Sequence, residues 1–172
     1  KKAGHGPRRS ILIMPVSGEE KGLLGSRYYT DNPIYPLENT VANLNIDMIG
    51  RLDDWHDNGN YVYLIGSDRL SYDLHNLNEK INDEYIGIDL DYRFNEKDDP
   101  NRYYYRSDHY NFAKNNIPVI FYFNGVHEDY HKPSDTIEKI DFDKINTITR
   151  LIFLTAWEIA NRDERIKLRD DL

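Results

Sequence analysis

The sequence predicts an α/β protein: a mixed, mostly parallel sheet sandwiched by helices. Short continuous apolar runs, the pattern of strands buried on both faces, recur along the chain. Stretches with apolar residues at helical spacing alternate with them. No internal repeat, low-complexity segment or Pro-, Gly- or Ser-rich linker interrupts this order, so residues 1–172 read as one domain.

The opening Lys1 to Pro7, basic residues followed by Gly and Pro, reads as the end of a helix. It raises the expectation that the chain begins in the middle of a fold. Ile11 to Val16 reads as a buried strand and Glu19 to Thr30 as a helix weakened by Gly22 and Gly25. Thr40 to Ile49 and Tyr61 to Ile65 read as the next two strands. Ser71 to Glu84 places Leu74, Leu77 and Ile81 at helical spacing behind Ser71 as N-cap. Asp89 to Phe94 alternates as a strand does, and Asp98 to Asn101 is turn-rich. Ser107 to Asn116 predicts a short helix and Pro118 to Phe123 a strand. Asp141 to Arg162 is the clearest helix, with Ile145, Ile148, Ile152, Thr155 and Ile159 on one face and Leu151, Leu154 and Trp157 widening it.

Composition narrows the function. The chain is 30% charged and 39% hydrophobic, too apolar for disorder. A net charge of −8 argues against nucleic acid or an anionic membrane as partner, because both require a basic surface. The absence of cysteine excludes disulfides and thiolate metal sites. No apolar run reaches the length of a membrane span.

In open α/β sheets, ligands bind beyond the carboxyl ends of the strands. Three positions there could carry chemistry. Glu19 and Glu20 follow the first apolar run, Asp47 lies near the end of the second, and His131 lies in the loop after Phe121 to Gly125. Oxygen and nitrogen donors of this kind suit zinc. Adjacent glutamates leaving a strand end point in different directions, so one can bind a metal while the other acts as general base. The alternative for the pair is two acidic residues opening a helix. For Asp47 it is a structural hydrogen bond in an apolar strand, and for His131 a surface-loop histidine. His127-Glu128-Asp129-Tyr130-His131 also matches His-Glu-x-x-His. Asn124-Gly125 before it and Pro133 after it leave no room for the helix that this motif requires, and the match reads as chance.

Four segments in order resemble the zinc aminopeptidases of family M28. They are Val16 to Ser26, containing Ser-Gly-Glu-Glu-Lys-Gly; Asn45-Ile46-Asp47-Met48-Ile49-Gly50; Ser107-Asp108-His109 with Phe112; and Tyr130-His131-Lys132-Pro133-Ser134-Asp135-Thr136. The resemblance spans about residues 8 to 160. It implies that Glu19 is the general base, that Glu20 and His131 bind a first zinc and that Asp47 binds a second. Tyr104, flanked by Tyr103 and Tyr105, would match the tyrosine that stabilises the tetrahedral intermediate in some members. Asp108 and Asp135 would orient the ligands.

The family's upstream His and metal-bridging Asp have no counterpart here, since His5 is the only histidine before Glu19 and its setting differs. The resemblance therefore implies the C-terminal part of a catalytic domain, with the N-terminal part of the same domain as its missing partner. Two zincs are expected in the intact enzyme and one or none in this chain alone. It further implies peptide substrates cleaved at the N-terminal residue and a secreted or periplasmic location. Two alternatives stand beside it: a glutaminyl cyclase-like single-zinc acyltransferase, and a non-catalytic binding or structural module of the same fold.

Overall fold

The computed structural model describes residues 6–171. Four strands form one mixed sheet: β1 (Asn43–Ile46), β2 (Tyr61–Ile65), β3 (Asp89–Asp91) and β4 (Val119–Phe123), in the order β1-β4-β2-β3. β1 runs parallel to β4, with Asn43 opposite Val119, and β2 runs parallel to β3. The central pair, β2 and β4, is antiparallel, with Tyr63 opposite Phe123. The helices are α1 (Leu24–Asp31), α2 (Tyr72–Ile81), α3 (His109–Ala113) and α4 (Phe142–Asn161).

Strand alternation divides the core into two chemically distinct faces. Val62, Leu64, Ile120 and Tyr122 point to one side, where Leu74 and Ile81 of α2 and Ile148, Leu151 and Ile159 of α4 cover them. Each such aliphatic side chain, fully buried, contributes about 1.5–3 kcal/mol. Tyr61, Tyr63, Phe121 and Phe123 point to the other side, against Phe112 of α3 with Phe94 and Tyr104. Ser71 caps α2 by accepting the Leu74 N–H at 3.0 Å, and Asp141 caps α4 by accepting the Lys144 N–H at 2.9 Å. A cation is buried between α4 and the sheet: the Lys144 ammonium lies 3.4 Å from the centre of the Tyr61 ring and has no hydrogen-bond partner among the described residues. Burial lowers its pKa to about 8, against the opposing pull of Asp53 and Asp141.

The α/β class, the helices on both faces and the strands at Tyr61–Ile65 and Val119–Phe123 agree with the sequence reading. Four expectations require correction. Ile11 to Val16 forms no strand: it lies outside the sheet ladder, and Ile13 is 85% exposed. Apolar character creates a demand for burial, yet an extended segment becomes a strand only where another strand offers its N–H and C=O groups. Glu19 to Thr30 is not one helix but a 3-10 turn (Glu19–Lys21), a left-handed Leu23 and then α1. The strands from Thr40 and from Asp89 are shorter than expected, at four and three residues. Trp157 on α4 is partly exposed rather than in the core. The proposed helix end at Lys1 to Pro7 lies largely outside the described residues.

Candidate active site

The loop carrying Glu19 and Glu20 folds back on itself before α1. The Gly25 N–H donates to the Ser17 carbonyl at 2.9 Å and the Leu24 N–H to the Gly18 carbonyl at 3.1 Å. A Cβ on residue 25 would stand 2.6 Å from the Ser17 oxygen, so only glycine lets this loop close. Asp47 follows β1 directly, its N–H still donating to the Tyr122 carbonyl at 3.3 Å. Ser107 Oγ donates to Asp47 Oδ2 at 2.8 Å and accepts from Asn45 Nδ2 at 2.9 Å, which fixes the carboxylate plane. The loop holding His131 leaves β4 through Gly125 at φ 85°, where a Cβ would meet Asp53 Oδ2 at 2.4 Å. Arg51 then ties that loop down, pairing with Asp129 at 2.7 Å and with Asp135, while Lys139 donates to both oxygens of Asp129 at 2.7 Å.

These segments enclose an open cavity of about 1060 Å³ whose wall includes Glu19, Glu20, Asp47 and His131. Three non-glycine residues on that wall, Leu23, Met48 and His131, have φ between 55° and 58°. Such left-handed backbone costs on the order of 1–3 kcal/mol per residue and concentrates at functional sites. Glu20 Oε1 and His131 Nε2 lie 2.8 Å apart, and both side chains are more than half exposed.

The electrostatics are those of crowded anions. Burial, then the charges of Asp47, Glu20 and Asp108, push the Glu19 carboxyl up to about 7, with His131 pulling the other way. Burial also raises Asp47, against the Ser107 hydrogen bond and with Asp108 and Glu20. Asp108 itself accepts a hydrogen bond from Ser26 Oγ, and Asn111 donates to the same hydroxyl at 2.8 Å.

The structure thus brings Glu19, Glu20, Asp47 and His131 to one cavity. Tyr104 is not among them: it is 8% exposed, packed over Gly66 beneath the Arg69 guanidinium at 4.0 Å, and absent from the cavity wall. Tyr130 faces the cavity instead. Its ring stacks on His131 at 3.8 Å, and burial followed by Glu20, Glu19 and Asp47 raises its pKa. The available signal for Tyr130 was its position next to the histidine in the sequence. The His-Glu-x-x-His match lies in turns, not in a helix, as read from its flanking residues.

Glu20, Asp47 and His131 fit zinc in kind, as two carboxylates and an imidazole beside unneutralised negative charge. They do not complete a site by themselves. Among the described residues no three His, Asp or Glu side chains are gathered closely enough to hold a metal ion.

The mixed α/β sheet thus carries Asp47 at the end of β1 and His131 in the loop after β4, with Glu19 and Glu20 on the same cavity wall. The sequence profile of Peptidase family M28 matches residues 1–156, and the chain belongs to that family. No curated protein matches it by sequence. Among solved structures, the LapA aminopeptidase of Legionella pneumophila superposes with a TM-score of 0.66 at 25% identity, over 87% of this chain and 38% of LapA. BSAP, a zinc aminopeptidase from Bacillus subtilis, gives 0.67 at 22% identity, over 91% of this chain and 38% of BSAP. The aminopeptidase of Aneurinibacillus sp. strain AM-1 gives 0.63 at 21% identity, over 90% and 34%. The last two likenesses are of fold. The chain spans little more than a third of the length of these structures.

Proposed function

We propose that the chain carries the general base and part of the zinc-binding set of an aminopeptidase that removes N-terminal residues from peptides. The observation that supports this most is that Glu19 shares one cavity wall with Glu20, Asp47 and His131, where burial and the neighbouring carboxylates push its own carboxyl up to about 7. A base tuned close to the working pH is effective both at taking up and at releasing a proton.

In this reading Glu20 and His131 hold one zinc and Asp47 a second, with the remaining donors supplied from outside the chain. When bound, zinc supplies Lewis-acid polarisation of the scissile carbonyl and acidifies water. Glu19 takes a proton from the attacking water on a carboxylate oxygen and returns it to the leaving amine. The Tyr130 phenol donates a hydrogen bond to the carbonyl oxygen as negative charge develops there. Ser107 and Asn45 keep Asp47 oriented, and Arg51 keeps the His131 loop against the strand ends. The substrate's free amine binds at the acidic end of the cavity.

The test is Glu19→Gln in the full-length protein. Hydrolysis of an aminoacyl anilide should fall by roughly 100-fold or more, with zinc content unchanged. A variant that kept its rate would remove Glu19 from the role of base. Cyclisation of an N-terminal Gln peptide without hydrolysis would move the protein to the cyclase reading instead.

A further inference from the structure

Two cationic side chains, Arg51 and Arg106, line the cavity. Arg51 is neutralised by Asp129 and Asp135. Arg106 is not: among the described residues its partners are the Asn101 carbonyl at 3.4 Å and the face of the Tyr103 ring, 5.1 Å from the guanidinium carbon. No carboxylate pairs with it. Its charge also acts on a neighbouring ring of the cavity wall, offsetting part of the burial effect on the Tyr103 phenol. The cavity therefore has two poles. Glu19, Glu20 and Asp47 form an anionic end, and Arg106 is the one cation on the wall without a carboxylate of its own, with aromatic rings lining the same space.

A guanidinium steadied on an aromatic face presents a planar fork of donors that matches a carboxylate. A free amine at the anionic end leaves the rest of a peptide to run along the aromatic wall. We propose that Arg106 binds a carboxylate of the substrate, so that the site selects peptides bearing a negative group in addition to the N-terminal amine. This inference rests on the aminopeptidase reading. The carboxylate has two sources with the same chemistry: an acidic side chain, or the free C-terminus of a dipeptide.

Two matched pairs of probes separate these sources: Leu-Ala against Leu-Ala amide, and Glu-Ala amide against Gln-Ala amide. Binding is measured by calorimetry to the full-length Glu19→Gln protein, and turnover with the unsubstituted protein. The carboxylate member of one pair should bind about tenfold more tightly or better, as expected for a charge-assisted hydrogen-bonded pair. Arg106→Met should bring that ratio close to one, and Arg106→Lys should retain part of it. A ratio within one variant does not depend on how much of the sample is folded. Ratios near one for both pairs, or a preference that survives Arg106→Met, would overturn the proposal and mark Arg106 as a packing partner of Tyr103. A binding preference that depends on Arg106 but comes without turnover of any peptide would support Arg106 and sink the aminopeptidase reading.

Discussion

Asp129 and Asp135, in the loop that carries His131, have cations of their own, whereas Glu19 and Asp47 on the cavity wall have none among the described residues. The first pair is held by Arg51 and Lys139, and the hydrogen bonds from Arg51, Lys139 and Ser134 keep the Asp129 carboxyl well below the usual range. In the second group the same kind of side chain is displaced upward, because burial and like charges act together. Among the described residues, Glu20 there meets the His131 ring and Asp47 a neutral hydroxyl, that of Ser107. Matched carboxylates here serve the architecture, holding the His131 loop in place. Unmatched ones store unfavourable charge that a bound cation or an ammonium group would relieve, and that is the side where chemistry is expected.

Reversing the sign in the matched cluster should have the largest effect. Arg51→Glu places a third carboxylate beside Asp129 and Asp135, and should release the His131 loop and lower the melting temperature more than any other change named below. An unchanged thermal melt would show that the clasp holds nothing. Lys144 offers the mirror image, a buried cation with no ion-pair partner. Its folded pKa of about 8 lies below its unfolded value, so between them the unfolded chain binds more protons and stability rises with pH. The rise should amount to about 2 kcal/mol between pH 8 and pH 10 in urea titrations. Above that range the buried tyrosines, whose phenols are raised by burial, oppose it. Lys144→Met should flatten the profile; a rise that persisted would assign it to another group.

Adding zinc separates the two acidic groups more gently. At a hundredfold excess over Kd it should stabilise the full-length protein by about 2.7 kcal/mol, and Glu20→Ala or His131→Ala should remove most of that gain while Asp135→Asn should not. Equal gains in all variants would place the ion elsewhere. The smallest effect is expected from Asp47→Asn in the metal-free protein. It removes the largest neighbouring charge on Glu19 but not the burial, so the Glu19 carboxyl should move only part of the way down from about 7. Side-chain carboxyl NMR would follow it, and no movement at all would separate the two residues electrostatically.

What the sequence disclosed follows the range over which each feature acts. Tyr61 to Ile65 and Val119 to Phe123 were legible as strands because burial on both faces leaves a run of apolar residues. Ile11 to Val16 has the same pattern and forms none, because a run records the need for burial and not the presence of a neighbour. The break inside Glu19 to Thr30 was foreshadowed by Gly22 and Gly25, although the left-handed Leu23 was not. Glu19, Glu20, Asp47 and His131 could be found because each sits in a local motif. Tyr130 and Arg106 could not be chosen from a sequence with fourteen tyrosines, since only the folded cavity distinguishes Tyr130 from Tyr104. The Arg51 clasp joins residue 51 to residues 129 and 135, a distance over which no local pattern speaks.

The pairing of β1 with β4 has a consequence for how the protein is made. Asn43 to Ile46 lie beside residues 119 to 122, and β1 has no other strand to pair with among the described residues. At a synthesis rate of about 5–20 residues per second, β1 leaves the ribosome roughly 4–15 s before β4 is complete. Throughout that interval the strand that will present Asp47 lacks its β4 partner, close in sequence to the exposed Ile34 and Tyr35. Non-local pairing of this kind is slow to form, and the nascent chain is at its most adhesive before Asp47 and the loop of His131 have met. Chaperone demand should therefore peak when about residue 120 is being added.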